Sequence, residues 1–463
     1  MASIAILGGG ISGLTAAYFL KKAGIPFTLF EASDYIGGKI KTTRSNDYLI
    51  EHGPNSLQST TPLLNQIIEE TGLSTHQIYA HDRAKKRFVV KHGIPTPLPM
   101  TPPALLKSGF FSFSSKLGLI KEPLIAAKKT AGTTTPEEES VASFVKRRLG
   151  QEFLDYALDP FVTGIFAGNP AELSLKHAFP ALYKIEQEYG SLLKGLLANK
   201  RKAKAAQTPA RRIFSFTEGM QMLPKAIAES FKDDIRLSTS VVDISSHENA
   251  WQIKTETASG AEPYHTEIHH YDAVLSSLPL PALKNCIQSL QFDMAPLWQV
   301  SYPPVTVMTL GFHRDDVSHA LDGFGMLVPS KESSTRILGT IFSSTIFPNR
   351  APADHVLLTT LVGGARKADL CNLPDNLLID FVLDDLHQLL GIHGNPTFVR
   401  QIEWPAAIPQ YNLSYGQVKQ TIDDIENRHP GLFFAGNYQC GISVGDAVKS
   451  GYLAAQNITQ HFS

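Results

Sequence analysis

Cysteine is scarce in this chain: Cys286, Cys371 and Cys440 are the only three among 463 residues. Three cysteines cannot build a disulfide framework, and so few fit a reducing compartment. There is no CxxC and no His/Cys pairing at ligand spacing, so no metal is expected. The chain also lacks an excess of either charge. Forty-two basic residues face 43 acidic ones, a net charge of −1, which opposes nucleic-acid binding through a global positive field. Long apolar runs are missing too. The one uncharged stretch, Met1 to Leu20, follows no basic residue and is interrupted by Gly8, Gly9, Gly10 and Gly13. Neither a signal peptide nor a transmembrane helix is therefore expected. The expected location is cytoplasmic, or peripheral on the inner face of a membrane. With 43% hydrophobic and 18% charged residues the composition is globular, and the length is about three times that of a ~150-residue domain.

What is present is a nucleotide-binding opening. Ile4-Ala5-Ile6-Leu7 predicts a short buried strand, Gly8 to Gly13 a tight turn, and Leu14 to Lys22 a helix that stops at Gly24. Phe27 to Phe30 predicts a second strand, ended by Glu31. In Gly8-x-Gly10-x-x-Gly13 the first glycine permits the turn, the second lets a pyrophosphate approach the backbone, and the third lets helix and strand pack. Free N–H groups at the helix start attract the phosphates. Glu31 suits ribose hydroxyls and disfavours a 2′-phosphate, so NADP is not expected. NAD and FAD share this fingerprint. The second glycine turn, Gly37-Gly38 before Lys39, suits the longer cofactor. So does the end of the chain, where a strand runs into Gly436-Asn437 and a helix from about Gly445 to Ile458 can aim its dipole at a flavin. Residues 100 to 205 read as mostly helical, and about 236 to 360 as repeated short strands. Lys200 to Lys204, with Arg211 and Arg212, reads as a solvated loop or helix end.

Gly8 to Gly13, Glu31, Gly37-Gly38 and Gly436-Asn437 resemble the FAD superfamily of amine oxidases, phytoene desaturases and protoporphyrinogen oxidases. Glu139-Ser140-Val141, Asp159 to Pro170, Leu173-Ser174, Tyr189-Gly190-Ser191 and Phe216 to Gln221 narrow the resemblance to oxygen-dependent protoporphyrinogen oxidases. Phe324 to Glu332 and Leu338 to Ser344 are most similar to the plant mitochondrial type. The resemblance runs nearly end to end. It implies an α/β fold of amine oxidase-like, p-hydroxybenzoate hydroxylase-like topology. A Rossmann-type FAD-binding domain (1–85, 206–285 and 395–463) would join an α+β substrate domain (86–98 and 286–394) and a mostly helical membrane-facing domain (99–205). It implies FAD held by Gly8, Gly9, Gly10, Ile11, Ser12, Gly13, Glu31, Ala32, Gly38, Lys39, Gly53, Pro54, Asn55, Ser56, Val242, Trp404, Gly436, Asn437, Ile442, Ser443 and Val444. It further implies a homodimer, with a membrane surface and haem-pathway enzymes as partners.

The implied activity is the six-electron oxidation of a porphyrinogen to a porphyrin, with molecular oxygen as acceptor and hydrogen peroxide as product. Arg87 matches the position that pairs with a substrate propionate, for which a guanidinium is the matching fork. Asn55 matches the position beside the flavin and the reacting methylene bridge. Leu327, Ile341 and Leu361 match the apolar positions that clamp the macrocycle. Three departures stand out: Tyr35 where the family usually has arginine, Lys39 for an arginine common in the superfamily, and Leu361 where the plant-type enzyme carries an aromatic residue. No acid–base set is required, since a methylene flanked by pyrroles can give up hydride unaided. The protein's task is then orientation, apolar clamping and propionate anchoring. His52 and His177 are expected to be structural, and Cys440 a small buried residue rather than a flavin tether. Phe110, Phe111 and Phe113 could face a membrane or a core, with Lys128, Lys129 and the 200–204 lysines near anionic lipids or merely solvated. The rival substrate is coproporphyrinogen III, whose four propionates would want more cations, such as Lys85 and Lys86. Two further functions stay open: amine oxidation, with Tyr438 as half of an aromatic pair, and a non-catalytic flavin scaffold.

Overall fold

The computed structural model describes residues 2–58, 61–128, 138–205, 212–247, 250–257, 265–290 and 293–463. Lys129 and Arg211 lie outside the described residues.

The first strand, Ile4–Leu7, has apolar side chains throughout because both of its faces are covered. It is the centre of a five-stranded parallel sheet in the order Ile235–Arg236, Phe27–Phe30, Ile4–Leu7, Ala273–Ser276, Leu432–Phe434. Alternation divides its side chains between two cores. Ile4 and Ile6 join the first helix, Ile11–Lys22, and the last, Val444–His461. Ala5 and Leu7 face Ile244, Trp251 and Ile253 of a three-stranded antiparallel sheet that covers the other side.

A seven-stranded mixed sheet forms the second layer, ordered Phe398–Trp404, Val305–His313, His355–Gly363, Gly339–Ile341, Gly323–Leu327, Lys86–Lys91, Ile94–Pro97. The helix Asp375–Leu390 packs Leu378, Val382 and Leu386 against Met308, Leu310, Met326 and Leu358 on one face. The opposite face carries Val307 and Leu361 and packs Leu357 against Tyr48 and Ile50. The expected boundary at 394/395 falls before Phe398–Trp404, which hydrogen-bonds along Val305–His313; this strand is part of the seven-stranded sheet.

The described residues of 102–128 and 138–205 are mostly helical, and Lys200 to Lys204 lie at the end of the helix Leu192–Ala205. Phe110 and Phe111 pack into this helical core with Phe153 and Tyr156, while Phe113 is 79% exposed. The three phenylalanines therefore do not act as one surface cluster. No helix among the described residues is long and apolar enough to cross a membrane. Fold class and layering are those of an α/β nucleotide-binding protein with an added mixed sheet.

Candidate active site

The cradle begins where the first strand ends. Gly8 has φ +98°, a conformation that favours glycine, and its N–H donates to the Phe30 carbonyl at 2.8 Å. The helix starts at Ile11, three residues before the expected Leu14, with Gly10 as its N-cap and no side chain covering the end. A Cβ on Gly13 would lie 2.1 Å from the Gly8 carbonyl oxygen, so close packing demands glycine there. A Cβ on Gly10 would meet no described atom within 4 Å. That unfilled space beside open N–H groups of a helix N-terminus is what a pyrophosphate requires. The second glycine turn closes the cradle: Gly37 N–H donates to the Gly9 carbonyl at 2.8 Å, and a Cβ on Gly38 would lie 3.3 Å from the Gly10 Cα. Ser277, which the sequence did not single out, donates from Oγ to the Leu7 and Gly8 carbonyls, both at 2.9 Å.

Glu31 ends the second strand with its carboxylate pointing back at the turn. It accepts the N–H of Gly9 at 2.6 Å and of Ser33 at 2.9 Å, and Ala32 beside it is exposed. Val242 is the unpaired residue of a bulge between Val241 and Asp243, so its position offers backbone groups outside the ladder. Ser12 donates from Oγ to the Ala447 carbonyl at 2.9 Å, and a Cβ on Gly451 would lie 2.1 Å from the Ser12 carbonyl oxygen. These contacts bring the last helix, whose N-cap Ser443 follows Ile442 and precedes Val444, alongside Ile11 and Ser12. Two helix N-termini thus share one end of the parallel sheet. Gly436, at φ +143°, is tied to Ser450 Oγ at 3.0 Å, and the Asn437 carbonyl accepts the Tyr411 hydroxyl.

The segment from His52 to Ser56 is the bridging loop between the strands Tyr48–Glu51 and Leu57–Gln58 and reaches Trp404 of the seven-stranded sheet. Glu51 anchors it by accepting Met220 N–H at 2.9 Å and the Thr42 hydroxyl at 2.6 Å, and burial pushes its carboxyl up to about 7 despite Arg350 nearby. Trp404 Nε1 donates to the His52 carbonyl at 2.7 Å. Gly53 has no room for a side chain, since a Cβ would lie 2.3 Å from the Lys39 carbonyl oxygen. Pro54, Asn55 and Ser56 follow, half-buried, with Asn55 Nδ2 donating to the Gly53 carbonyl at 3.2 Å. Lys39 Nζ donates to the carbonyls of Ala406, at 2.6 Å, and Ala407, and lies 6.0 Å from the Trp404 ring centroid. Burial lowers its ammonium to about 8. His52 holds Thr43 Oγ1 at 3.0 Å, and burial, then Lys41 and Arg400, lowers its imidazole to about 4. Between pH 6.5 and 4 the unfolded chain protonates this histidine while the folded chain does not, so stability falls as pH drops through that window. Thermal melts from pH 7 to 4 are expected to show this loss, with a shallower decline in His52→Gln; parallel curves would refute it.

Strand parity sets the site face of the second sheet. Leu327 and Leu361 both oppose Gly339, and Ile341 lies two residues beyond it on the same strand. All three expected apolar residues therefore share one face. Val307 opposes both Leu361 and Ile402, adding to that face. Phe88 packs in the core beneath the sheet, so its neighbour Arg87 projects to the site side. The Arg87 guanidinium lies 4.2 Å from the Phe324 ring centroid and donates to the Ala84, Lys85 and Lys86 carbonyls. No carboxylate among the described residues pairs with it, and burial lowers its pKa. Phe324 was missed in the sequence: strict alternation would put it with Met326 on the helix-covered face, and a register shift between Gly323 and Met326 breaks that parity. Lys85 and Lys86 are already paired with Asp82 and Asp322, and with Lys91 and Phe110 they line a separate open cleft of about 910 Å³.

Other candidates fall away from this face. Tyr438 is fully buried in the core beneath the parallel sheet, so it does not present a ring for amine oxidation. His177 pairs with Glu138 at 3.1 Å. Cys440 is exposed rather than buried. No group of His, Cys, Asp or Glu among the described residues could hold a metal.

A family model for flavin containing amine oxidoreductases matches residues 11–459. Chloroplastic/mitochondrial protoporphyrinogen oxidase 2 of Arabidopsis thaliana is 36% identical, over 99% of this chain and 94% of that one. Coproporphyrinogen III oxidase of Bacillus subtilis (strain 168) is 26% identical, over 99% and 98%. A solved structure from Exiguobacterium sp. 255-15, provisionally described as a protoporphyrinogen oxidase, has a TM-score of 0.81 at 24% identity and covers 99% of both chains. With nearly every residue inside the family match and a 36% identical relative aligned end to end, the chain belongs to the flavin-containing amine oxidoreductases, and the dinucleotide its cradle fits is FAD.

Proposed function

We propose that this enzyme oxidises protoporphyrinogen IX to protoporphyrin IX in haem biosynthesis, using molecular oxygen and releasing hydrogen peroxide. The observation that carries the reading is Arg87, a half-buried cation without a carboxylate partner among the described residues, on the same sheet face as Leu327, Ile341 and Leu361. A flat apolar substrate bearing a carboxylate satisfies both features. Bound FAD supplies a two-electron acceptor that oxygen regenerates, so three rounds remove the six electrons. The chain's own groups do the rest. Arg87 anchors a propionate in a bidentate fork, while Leu327, Ile341 and Leu361 hold the macrocycle and exclude water. Asn55 sits on the bridging loop beside the reacting carbon. Glu31, Val242 and the glycine turns hold the adenosine and pyrophosphate, while Lys39, Trp404 and the Gly436 to Val444 segment hold the flavin end.

One unpaired arginine, beside lysines already paired, favours the dipropionate substrate over the four carboxylates of coproporphyrinogen III. Turnover of both, read as porphyrin fluorescence and peroxide on admitting air, tests this. A higher kcat/KM on protoporphyrinogen IX supports the reading, and a preference for coproporphyrinogen III moves the enzyme to that substrate. Arg87→Ala is expected to raise KM about tenfold with a smaller change in kcat. An unchanged KM would remove Arg87 from the site.

The reading includes the three-domain division, with Phe398–Trp404 moved into the substrate domain, a cytoplasmic location, a homodimer and contact with haem-pathway enzymes. The helical part would rest on a membrane surface, supported by exposed Leu106, Phe113, Ile120, Leu124, Leu196 and Leu197 beside Lys107, Lys121 and Lys128. Co-sedimentation with anionic vesicles is expected and should weaken in Phe113→Ser/Leu124→Ser; equal recovery of the two proteins would refute this face.

A further inference from the structure

We infer that Asp159 and Arg366 form a clamp that fixes the helix Asp159–Phe166 against the macrocycle face, and so sets how tightly a flat tetrapyrrole is held; this rests on the porphyrinogen reading above. The helix meets that face at Gly164, where a Cβ would lie 2.7 Å from Leu327 Cδ2. There is no slack at this contact, so a shift of the helix moves Leu327. The ties that hold the helix are polar and sit at both of its ends.

At its start, the buried Asp159 carboxylate spans two loops. One oxygen accepts the Ser330 N–H at 2.7 Å and hydroxyl at 3.0 Å, and the other accepts Arg366 Nη1 at 2.6 Å. Arg366 Nη2 then donates to Thr163 Oγ1 at 2.6 Å, one turn further along the same helix. Toward the helix end, Ala365 N–H donates to the Ala167 carbonyl at 2.7 Å, and Gln410 Nε2 to the Phe166 carbonyl at 2.9 Å.

Ser330 lies just past Gly323–Leu327, and Arg366 just past His355–Gly363. One carboxylate therefore ties the helix to the ends of both strands that carry Leu327 and Leu361. The turn before the helix, Leu154–Leu158, is a π-helical segment, the kind of irregularity that re-aims a helix near a functional site. Each oxygen of Asp159 is occupied by a donor, which suits it to positioning. A guanidinium reaches Asp159 and Thr163 together as a planar fork, which a lysine ammonium cannot copy.

The test uses the holoenzyme and three variants, with Thr163→Val as a fourth in reserve. Arg366→Gln is expected to raise KM for protoporphyrinogen IX about tenfold, with kcat within about twofold of wild type. FAD content and visible spectrum should be unchanged, and protoporphyrin IX, titrated by its perturbation of the flavin spectrum, should bind about tenfold more weakly. Arg366→Lys should fall between, since charge without the fork restores one contact. Gly164→Ala leaves the ion pair intact but drives a methyl into Leu327, and should reproduce the KM effect. A wild-type KM in Arg366→Gln, a kcat loss at constant KM, or loss of FAD would each overturn the clamp. If Arg366→Gln does not fold, Gly164→Ala and Thr163→Val decide on the same readings. If wild-type enzyme turns over neither porphyrinogen, the functional reading fails, and the clamp stands or falls on protoporphyrin IX titration alone.

Discussion

Gly10→Ala is expected to fold and melt like wild type while losing most of its affinity for FAD, and Gly13→Ala to lose both. The two glycines belong to one motif but answer to different neighbours. A methyl on Gly10 meets no described protein atom within 4 Å, and Gly10 has φ −70°, a conformation alanine adopts freely. In the FAD-free protein the substitution is therefore neutral, or stabilising by about 0.4–1 kcal/mol through a stiffer unfolded chain. The same methyl fills the space through which a pyrophosphate reaches the N–H groups at the helix start. An affinity loss of about 100-fold, ~2.7 kcal/mol, is expected. At Gly13 helix propensity alone would favour alanine by about 1 kcal/mol. The added Cβ, however, lies 2.1 Å from the Gly8 carbonyl oxygen and 2.6 Å from Ser277 Oγ. Overlap with backbone cannot be relieved by a side-chain rotation, so the steric term decides the sign. Melting of FAD-stripped protein and FAD titration by flavin fluorescence separate the two effects. Wild-type FAD affinity in Gly10→Ala would show that the dinucleotide does not approach there.

This contrast also shows which parts of the molecule were legible in the sequence. The first strand, the glycine turn and Glu31 are local signals, each with its own steric or electrostatic reason, and they stand where expected. The helix start was placed three residues late because glycines argue against helix. Position 13 is glycine because the Gly8 carbonyl and Ser277 leave no room for a side chain on that face of the helix, a tertiary fact invisible to propensity. Phe110, Phe111 and Phe113 looked equivalent as a string. Only tertiary packing separates them: Phe111 stacks on Phe153 at 4.2 Å and Phe110 sits edge-on at 4.9 Å from Phe111, leaving Phe113 outside. The strand Phe398–Trp404 was assigned with its sequence neighbours because its partner, Val305–His313, is remote in the chain.

The candidate site divides in the same way. Family likeness supplied Arg87, Asn55, Leu327, Ile341 and Leu361 one position at a time. The common face of Leu327, Ile341 and Leu361 follows from strand register, which no single motif encodes. Phe324, Ser277 and Asp159 were overlooked as site parts because each acts through a partner brought by the fold: Arg87, the Gly8 carbonyl and Arg366.

Arg148→Met is expected to destabilise the helical part by about 3–5 kcal/mol, lowering its melting temperature by about 15–25 °C. Arg148 has no exposed side-chain surface, and neither has Glu122; Glu186 is 1% exposed. The guanidinium donates to Glu122 at 3.0 Å, to Glu186 at 2.8 Å, and to the Ile125 and Gly190 carbonyls. Arg147 shares Glu186 and also pairs with Glu139 at 2.8 Å. Removing Arg148 leaves Glu186 one partner, but Glu122 loses its only cation among the described residues. Glu122 cannot simply be deleted with it, because it also accepts the Ser191 hydroxyl at 2.6 Å and the N–H groups of Leu192 and Leu193, at the start of the helix Leu192–Ala205. Glutamine removes the buried charge and, with its amide oxygen at the Oε2 position, keeps the Ser191 hydroxyl and Leu193 N–H, while its NH2 group gives up the Leu192 N–H. The double variant Arg148→Met/Glu122→Gln should therefore recover part of the loss, whereas Arg148→Met/Glu122→Leu should not, since it strands the helix N–H groups. Denaturant midpoints on the three variants measure the ordering. A single variant within about 1 kcal/mol of wild type would mean that water enters and solvates Glu122 once the arginine is gone. That would place this network with surface ion pairs in energetic terms, despite its burial.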